Sequence, residues 1–165
     1  MSIDTTELVY DIDLSQIGPI EYPSKRSRHV LYTDYLVSAF DNRQLIIDKA
    51  VAYLSDLDFD TIAVTGVSGL LGGPEVALRM KKDLIVVRKG EKSHSLHDVE
   101  GRCGSRVLMF DDEIDTGSTY YRVQKAVTDL WNTEMIGAFF YKEWDHRSLD
   151  HGSFWPPERI RSHCS

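Results

Sequence analysis

The stretch VLMFDDEIDTGSTYY, residues 107 to 121, sets four acids within five positions, Asp111, Asp112, Glu113 and Asp115, directly after four apolar residues. Three chemistries compete for such a run. A calcium loop would use the alternation of Asp111, Glu113 and Asp115, but it needs glycine where Thr116 stands and a carboxylate where Arg122 stands, so it fails twice. A solvated strand end that also caps a helix is the ordinary fate of an acidic run. A sugar-phosphate clamp is the third: Thr116 to Thr119, at a helix N-terminus, offer N–H groups and hydroxyls to a phosphate, while adjacent carboxylates bond sugar hydroxyls. The residues alone leave the second and third open.

Such a run has to be held by regular elements, and the sequence supplies them in alternation. Residues 41 to 57 carry apolar positions at helical spacing, with Asp41 and Gln44 placed as a capping box. TIAVTG (61 to 66) reads as a strand, VSGLLGG as a flexible turn, and Pro74 as the start of the helix PEVALRMKK. DLIVVRK (83 to 89) is a second strand, followed by sixteen polar, glycine-containing residues without period, a loop long enough to be functional. RVLMFDD is the third strand, STYYRVQKAVTDLW a helix packed on a sheet, and EMIGAFFYKEW the fourth strand. Alternating strands and helices predict an α/β fold with a parallel, Rossmann-like sheet and ligands at the strands' carboxyl ends, where 65 to 73 and 111 to 119 both emerge.

With 165 residues the chain has room for one domain, 1–165, read as a core over about 30–145 with a small hood from 1–30 and 145–165. A net charge of −7 argues against coating nucleic acid, which needs a broad cationic face. The acidic N-terminus lacks the order of a signal peptide and no 18 apolar residues run together, which points to a cytoplasmic protein without a membrane segment. Cys103 and Cys164 fit neither a disulfide framework nor a metal knuckle and are read as reduced thiols.

Apolar residues, two acids, two more positions and then D-T-G-x-T resemble the fingerprint by which type I phosphoribosyltransferases recognise 5-phosphoribosyl-1-pyrophosphate (PRPP). The resemblance covers about residues 30 to 145. In the family's order, VTGVSGLLGGPEVALRM is similar to the pyrophosphate loop and VVRKGEKSHS to the start of a mobile catalytic loop. The resemblance implies a type I phosphoribosyltransferase fold. Asp111 and Asp112 would hold the ribose hydroxyls, Asp115, Thr116, Gly117, Ser118 and Thr119 would cradle the 5′-phosphate, and Val67, Ser68 and Gly69 would present backbone to pyrophosphate. It also implies a non-proline cis peptide near Val67–Ser68, and a homodimer.

The implied activity is transfer of ribose 5-phosphate from PRPP to a nucleobase with release of pyrophosphate, as in nucleotide salvage. Mg²⁺ is the expected counter-ion, held indirectly by Asp111 and Asp112 through PRPP or water. Arg88, Lys89, Lys92 and His94 are candidates to close over the pyrophosphate and exclude water. Asp115 is the candidate to accept a proton from the incoming base, as its counterpart in the 6-oxopurine branch is thought to do.

The acceptor signals conflict. R-K-x-x-K-x-H in RKGEKSH resembles orotate phosphoribosyltransferases, yet those usually lack the aspartate of IDTG, and the lysine of their pyrophosphate loop is absent from TGVSGLLGG. Adenine enzymes carry a similar loop. A purine needs an aromatic lid, for which Phe154 or Trp155 is the candidate, and a 6-oxo group needs a donor, for which Lys142 is the candidate. Orotate would need a cation for its carboxylate, such as Lys25, Arg26 or Arg28. The reading favours a 6-oxopurine, with orotate or adenine as alternatives. A PRPP- or nucleotide-binding regulator without turnover is the rival class, and a P-loop kinase is excluded by the missing glycine-lysine signature.

Overall fold

The computed structural model describes residues 39–88, 98–142 and 152–165, so the candidates Lys89, Lys92, His94, Lys25, Arg26 and Arg28 lie outside the described residues. In chain order the elements are α1 (Arg43–Leu54), β1 (Thr61–Val64), α2 (Gly66–Met80), β2 (Asp83–Val87), β3 (Val99–Gly101), β4 (Arg106–Asp111), α3 (Ser118–Leu130), β5 (Glu134–Phe140), β6 (Ser153–Trp155) and α4 (Pro157–His163). They build one six-stranded sheet in the order β3-β2-β1-β4-β5-β6. The four central strands are parallel, with Val64 beside Val86 and Phe110, and Asp111 beside Phe140. β3 and β6 are antiparallel at the two edges. This is the expected α/β architecture.

Alternation along the strands sorts side chains into two cores, because successive residues face opposite sides of a sheet. Ala63, Met109 and Phe140 join Val123 and Val127 of α3 and Ile160 of α4 on one face. Ile62, Val64, Phe110 and Phe139 join Ile47, Leu54 and Val76 of α1 and α2 on the other. The sheet is thus covered on both sides, and its carboxyl edge is the side from which α2 and α3 depart.

The second helix corrects the sequence reading. VSGLLGG is no flexible turn: α2 begins at Gly66, and Pro74 lies inside it. The glycines there serve close approach, since a Cβ on Gly73 would come 2.3 Å from Val64 Cγ1 and one on Gly69 3.0 Å from the Phe110 carbonyl oxygen. Proline at position 74 removes one backbone donor, but burial of the flanking Gly73, Val76 and Ala77 keeps the helix continuous. The peptide between Val67 and Ser68 is trans, against expectation, as the first turn of a helix requires.

Three further differences concern short segments. The predicted capping box is absent: Asn42 occupies the N-cap of α1 and its side chain does not cap the helix, and Gln44 donates to Asp48 instead (2.9 Å). The supposed aperiodic loop contains β3, three residues being too few to display a period. The C-terminal cap contains β6 and α4. One half-buried junction that the sequence does not announce is Asp60, whose carboxylate accepts from the Ser105 and Arg106 N–H groups (2.8 and 3.1 Å) and from Thr61 Oγ1 (2.8 Å), fixing the start of β4 against that of β1. Burial alone would raise its pKa, but these hydrogen bonds outweigh it and hold the carboxyl below its ordinary value.

Candidate functional site

The strand order reverses between β1 and β4, the position at which open α/β sheets bind ligands. β1 runs through Thr65 into α2, and β4 ends at Asp111 and runs through 112 to 117 into α3. Between them opens a cleft of about 580 Å³, lined by Val67 and Ser68, by residues 111 to 120, and by Met109 and Phe140 of the sheet.

Asp111 closes the back of this cleft with 5 % of its surface exposed. Its Oδ1 accepts a hydrogen bond from Ser68 Oγ (2.6 Å) and one from the Asp112 N–H (3.0 Å). Ser68 is fixed in turn by the Tyr141 hydroxyl, which donates to its carbonyl (3.1 Å). Burial pushes the Asp111 carboxyl up to about 7, the Ser68 hydrogen bond opposing and the charge of Asp112 reinforcing the shift. Asp112 is half-buried beside it.

The run 113 to 117 divides by burial. Ile114, 5 % exposed, plugs the loop into the core, while Asp115 and Thr116 on its far side are exposed. Gly117 is the N-cap of α3 with φ +74°, a left-handed conformation that favours glycine, and a Cβ there would meet Cys164 Sγ at 2.4 Å. Neither N-cap residue, Thr65 for α2 or Gly117 for α3, caps its helix with a side chain. Two helix N-termini, each with first-turn N–H groups that have no intrahelical acceptor and the positive end of a dipole, therefore border one cleft, the Ser118 N–H making a long bond to Thr116 Oγ1 (3.4 Å). Arg122 adds a cation at the first, where its Nη2 donates to Thr65 Oγ1 (3.1 Å).

The structure brings together Val67, Ser68, Asp111, Asp112 and Asp115 through Thr119, as the sequence places them. Gly69 stands one residue deeper in α2, packed on the Phe110 carbonyl. The other candidates stand elsewhere. Arg88 makes a bidentate pair with Glu100 across β2 and β3 (3.1 and 2.9 Å) and does not line the cleft. Lys142 donates to Glu113 (2.8 Å) with 14 % of its side chain exposed, so its ammonium is already engaged by a carboxylate. Trp155 is 9 % exposed and stacks edge-on behind Phe140 (5.7 Å) rather than opening into the cleft, while its indole N–H donates to Ser153 Oγ (2.9 Å). Phe154 points to the opposite core. Tyr141, Arg122, His163 and Cys164 were not singled out as site residues; all four reach the site through folds of the chain that no local pattern records.

Among the described residues no group of three or more His, Cys, Asp or Glu gathers as a metal cage, and no helix is long and apolar enough to cross a membrane. The oxygen pair Asp111 and Asp112 fits Mg²⁺, which takes few protein ligands and shares the rest with phosphates and water.

No family model matches the chain. It is 34 % identical over 110 residues to an orotate phosphoribosyltransferase of Archaeoglobus fulgidus, covering 64 % of this chain and 61 % of that protein. It is 27 % identical over 150 residues to an adenine phosphoribosyltransferase of Malacoplasma penetrans, covering 79 % of this chain and 86 % of the other. Among solved structures, an orotate phosphoribosyltransferase of Aeropyrum pernix shares the fold with a TM-score of 0.53 at 22 % identity, over 64 % of this chain and 61 % of that one. Motif, strand order and relatives agree in indicating a member of the type I phosphoribosyltransferase family.

Proposed function

We propose that this chain is a PRPP-dependent phosphoribosyltransferase that joins a nucleobase to ribose 5-phosphate and releases pyrophosphate. The observation that carries the reading is the convergence of two helix N-termini and one buried carboxylate on a single cleft. A ligand with a phosphate at each end and hydroxyls between matches that arrangement of charge.

The N–H groups at Thr116 to Thr119 would take the 5′-phosphate, and those at Val67, Ser68 and Gly69 the pyrophosphate. Asp111 and Asp112 would accept from the ribose hydroxyls, which needs Asp111 ionised. The pyrophosphate leaves with the electron pair of its bond to C1, positive charge spreads over the ring, and a base nitrogen forms the new bond. Catalysis of this kind rests on positioning and fixed dipoles. Asp115, exposed at the cleft rim, is the group available to take the base's proton. Mg²⁺, when bound near Asp111 and Asp112, would offset phosphate charge.

The names of the relatives support adenine or orotate as the acceptor. The 6-oxopurine reading drew on the aspartate of IDTG and on Lys142 with Phe154 or Trp155; of these, Lys142 and Trp155 are engaged elsewhere and Phe154 packs on the opposite core. A base panel with PRPP and Mg²⁺, followed by pyrophosphate release, tests the assignment: turnover is expected with adenine or orotate. Product only from hypoxanthine, guanine or xanthine would restore the 6-oxopurine reading. Tight PRPP binding with no product from any base would make the chain a sensor.

A further inference from the structure

The C-terminal helix touches the site at a point that the transfer chemistry does not require. α4 docks by burying Ile160 completely in the core below α3, and this carries its last turn to the loop 115–117. There His163 Nε2 lies 3.2 Å from the Asp115 carbonyl oxygen. A carbonyl only accepts, so Nε2 carries the proton. The imidazole is braced edge-on against Trp155 (5.3 Å, 81°), which is held in turn by the Arg159 guanidinium 4.0 Å over its ring. One residue on, Cys164 Sγ occupies the space a side chain at Gly117 would need.

We propose that α4 is a clamp on the phosphate loop and that His163 is its positioning residue. The reason lies in peptide planarity. The Asp115 carbonyl and the Thr116 N–H belong to one rigid unit and point in opposite directions. Holding the carbonyl toward α4 therefore aims the Thr116 N–H away from α4, and Cys164 packed on Gly117 restrains the next turn of backbone. The loop is exposed at Asp115 and Thr116, and its own bond to the start of α3 is the long one from the Ser118 N–H to Thr116 Oγ1 (3.4 Å), so the clamp sets donor directions that the loop alone holds weakly. Trp155, read from sequence as a lid on the base, acts here as the brace for His163.

The inference rests on the reading of 115–119 as the phosphate cradle, and the test separates the two. Ribose 5-phosphate and pyrophosphate are titrated separately into the wild-type chain and into His163→Ala, His163→Phe and His163→Gln, with thermal unfolding of each. The loss of one hydrogen bond to a ligand-binding loop corresponds to about a tenfold change in affinity. Ala and Phe variants are expected to bind ribose 5-phosphate about tenfold more weakly with pyrophosphate affinity within about twofold, and Gln, which keeps an N–H, to recover most of the loss. In turnover the KM for PRPP rises while kcat holds. The Phe variant keeps the packing on Trp155, so a fold defect in Ala alone does not obscure the result. Wild-type affinity for ribose 5-phosphate in the Phe variant overturns the clamp and leaves the cradle standing. A wild-type chain that binds neither ligand overturns the cradle and the clamp together.

Discussion

Asp111 faces a conflict between burial and use. The sheet excludes water from it, which favours the neutral acid, whereas a sugar hydroxyl is best held by the ionised form. With its carboxyl raised to about 7, the folded chain holds a proton that the unfolded chain, near 3.9, has already lost. Protons bound by the folded state exceed those of the unfolded state between these values, so this residue makes stability fall as pH rises from about 4 to 7. Asp111→Asn removes that slope and raises the melting temperature at pH 8 relative to wild type, measured without divalent cations. The same variant binds ribose 5-phosphate at least about tenfold more weakly, because an amide cannot replace the charged acceptor. A wild-type pH slope retained in the variant would refute the assignment.

At the scale of the element, α2 shows how packing overrides a local signal. Glycines at 69, 72 and 73 with Pro74 read as a breaker, yet they let the helix lie directly on Val64 and Phe110. Gly73→Ala sets two effects against each other. Alanine gains about 1 kcal/mol in helix propensity, while overpacking a filled core costs about 1–3 kcal/mol. Val64 is β-branched and fully buried on a central strand, so it cannot rotate away from a Cβ at 2.3 Å, and the loss prevails. Denaturant unfolding is expected to show a net destabilisation of up to about 2 kcal/mol. Because α2 also carries Ser68, the variant is expected to weaken pyrophosphate binding as well, and greater stability would show that the contact relaxes freely.

For the whole molecule, the two-faced core predicts where the fold opens last. Every residue of β1 and residues 107 to 111 of β4 are buried, whereas β3 is a three-residue edge strand. Native-state hydrogen exchange should find the β1 and β4 amides slowest and those of β3 several orders of magnitude faster, on the order of the difference between global and local opening. The cleft stands where β1 and β4 end, so its floor belongs to the most rigid strands and its rim to loops. With a net charge of −7, the proposed binding of a polyanionic ligand would depend on local helix ends rather than on the overall field.

The sequence by itself determined the order of the four parallel strands and of the three helices α1 to α3, and the motif that ends at Thr119, but not β3, β6 or α4. Those signals are local: a period of two or of 3.6 within an element, and a run of consecutive residues that forms the proposed phosphate cradle. The α/β class and its carboxyl-edge site followed from that order. Only the tertiary structure decided the partners. Ser68 reaches Asp111 across 43 positions, Lys142 meets Glu113 across 29, and His163 meets Asp115 across 48. Each pairing depends on which strands are neighbours and how an end segment docks, and no period or composition encodes that. Trp155 shows the limit most plainly: an aromatic near a chain end suits a ligand lid or a buried brace equally well, and the docking of α4 on Ile160 made it the brace.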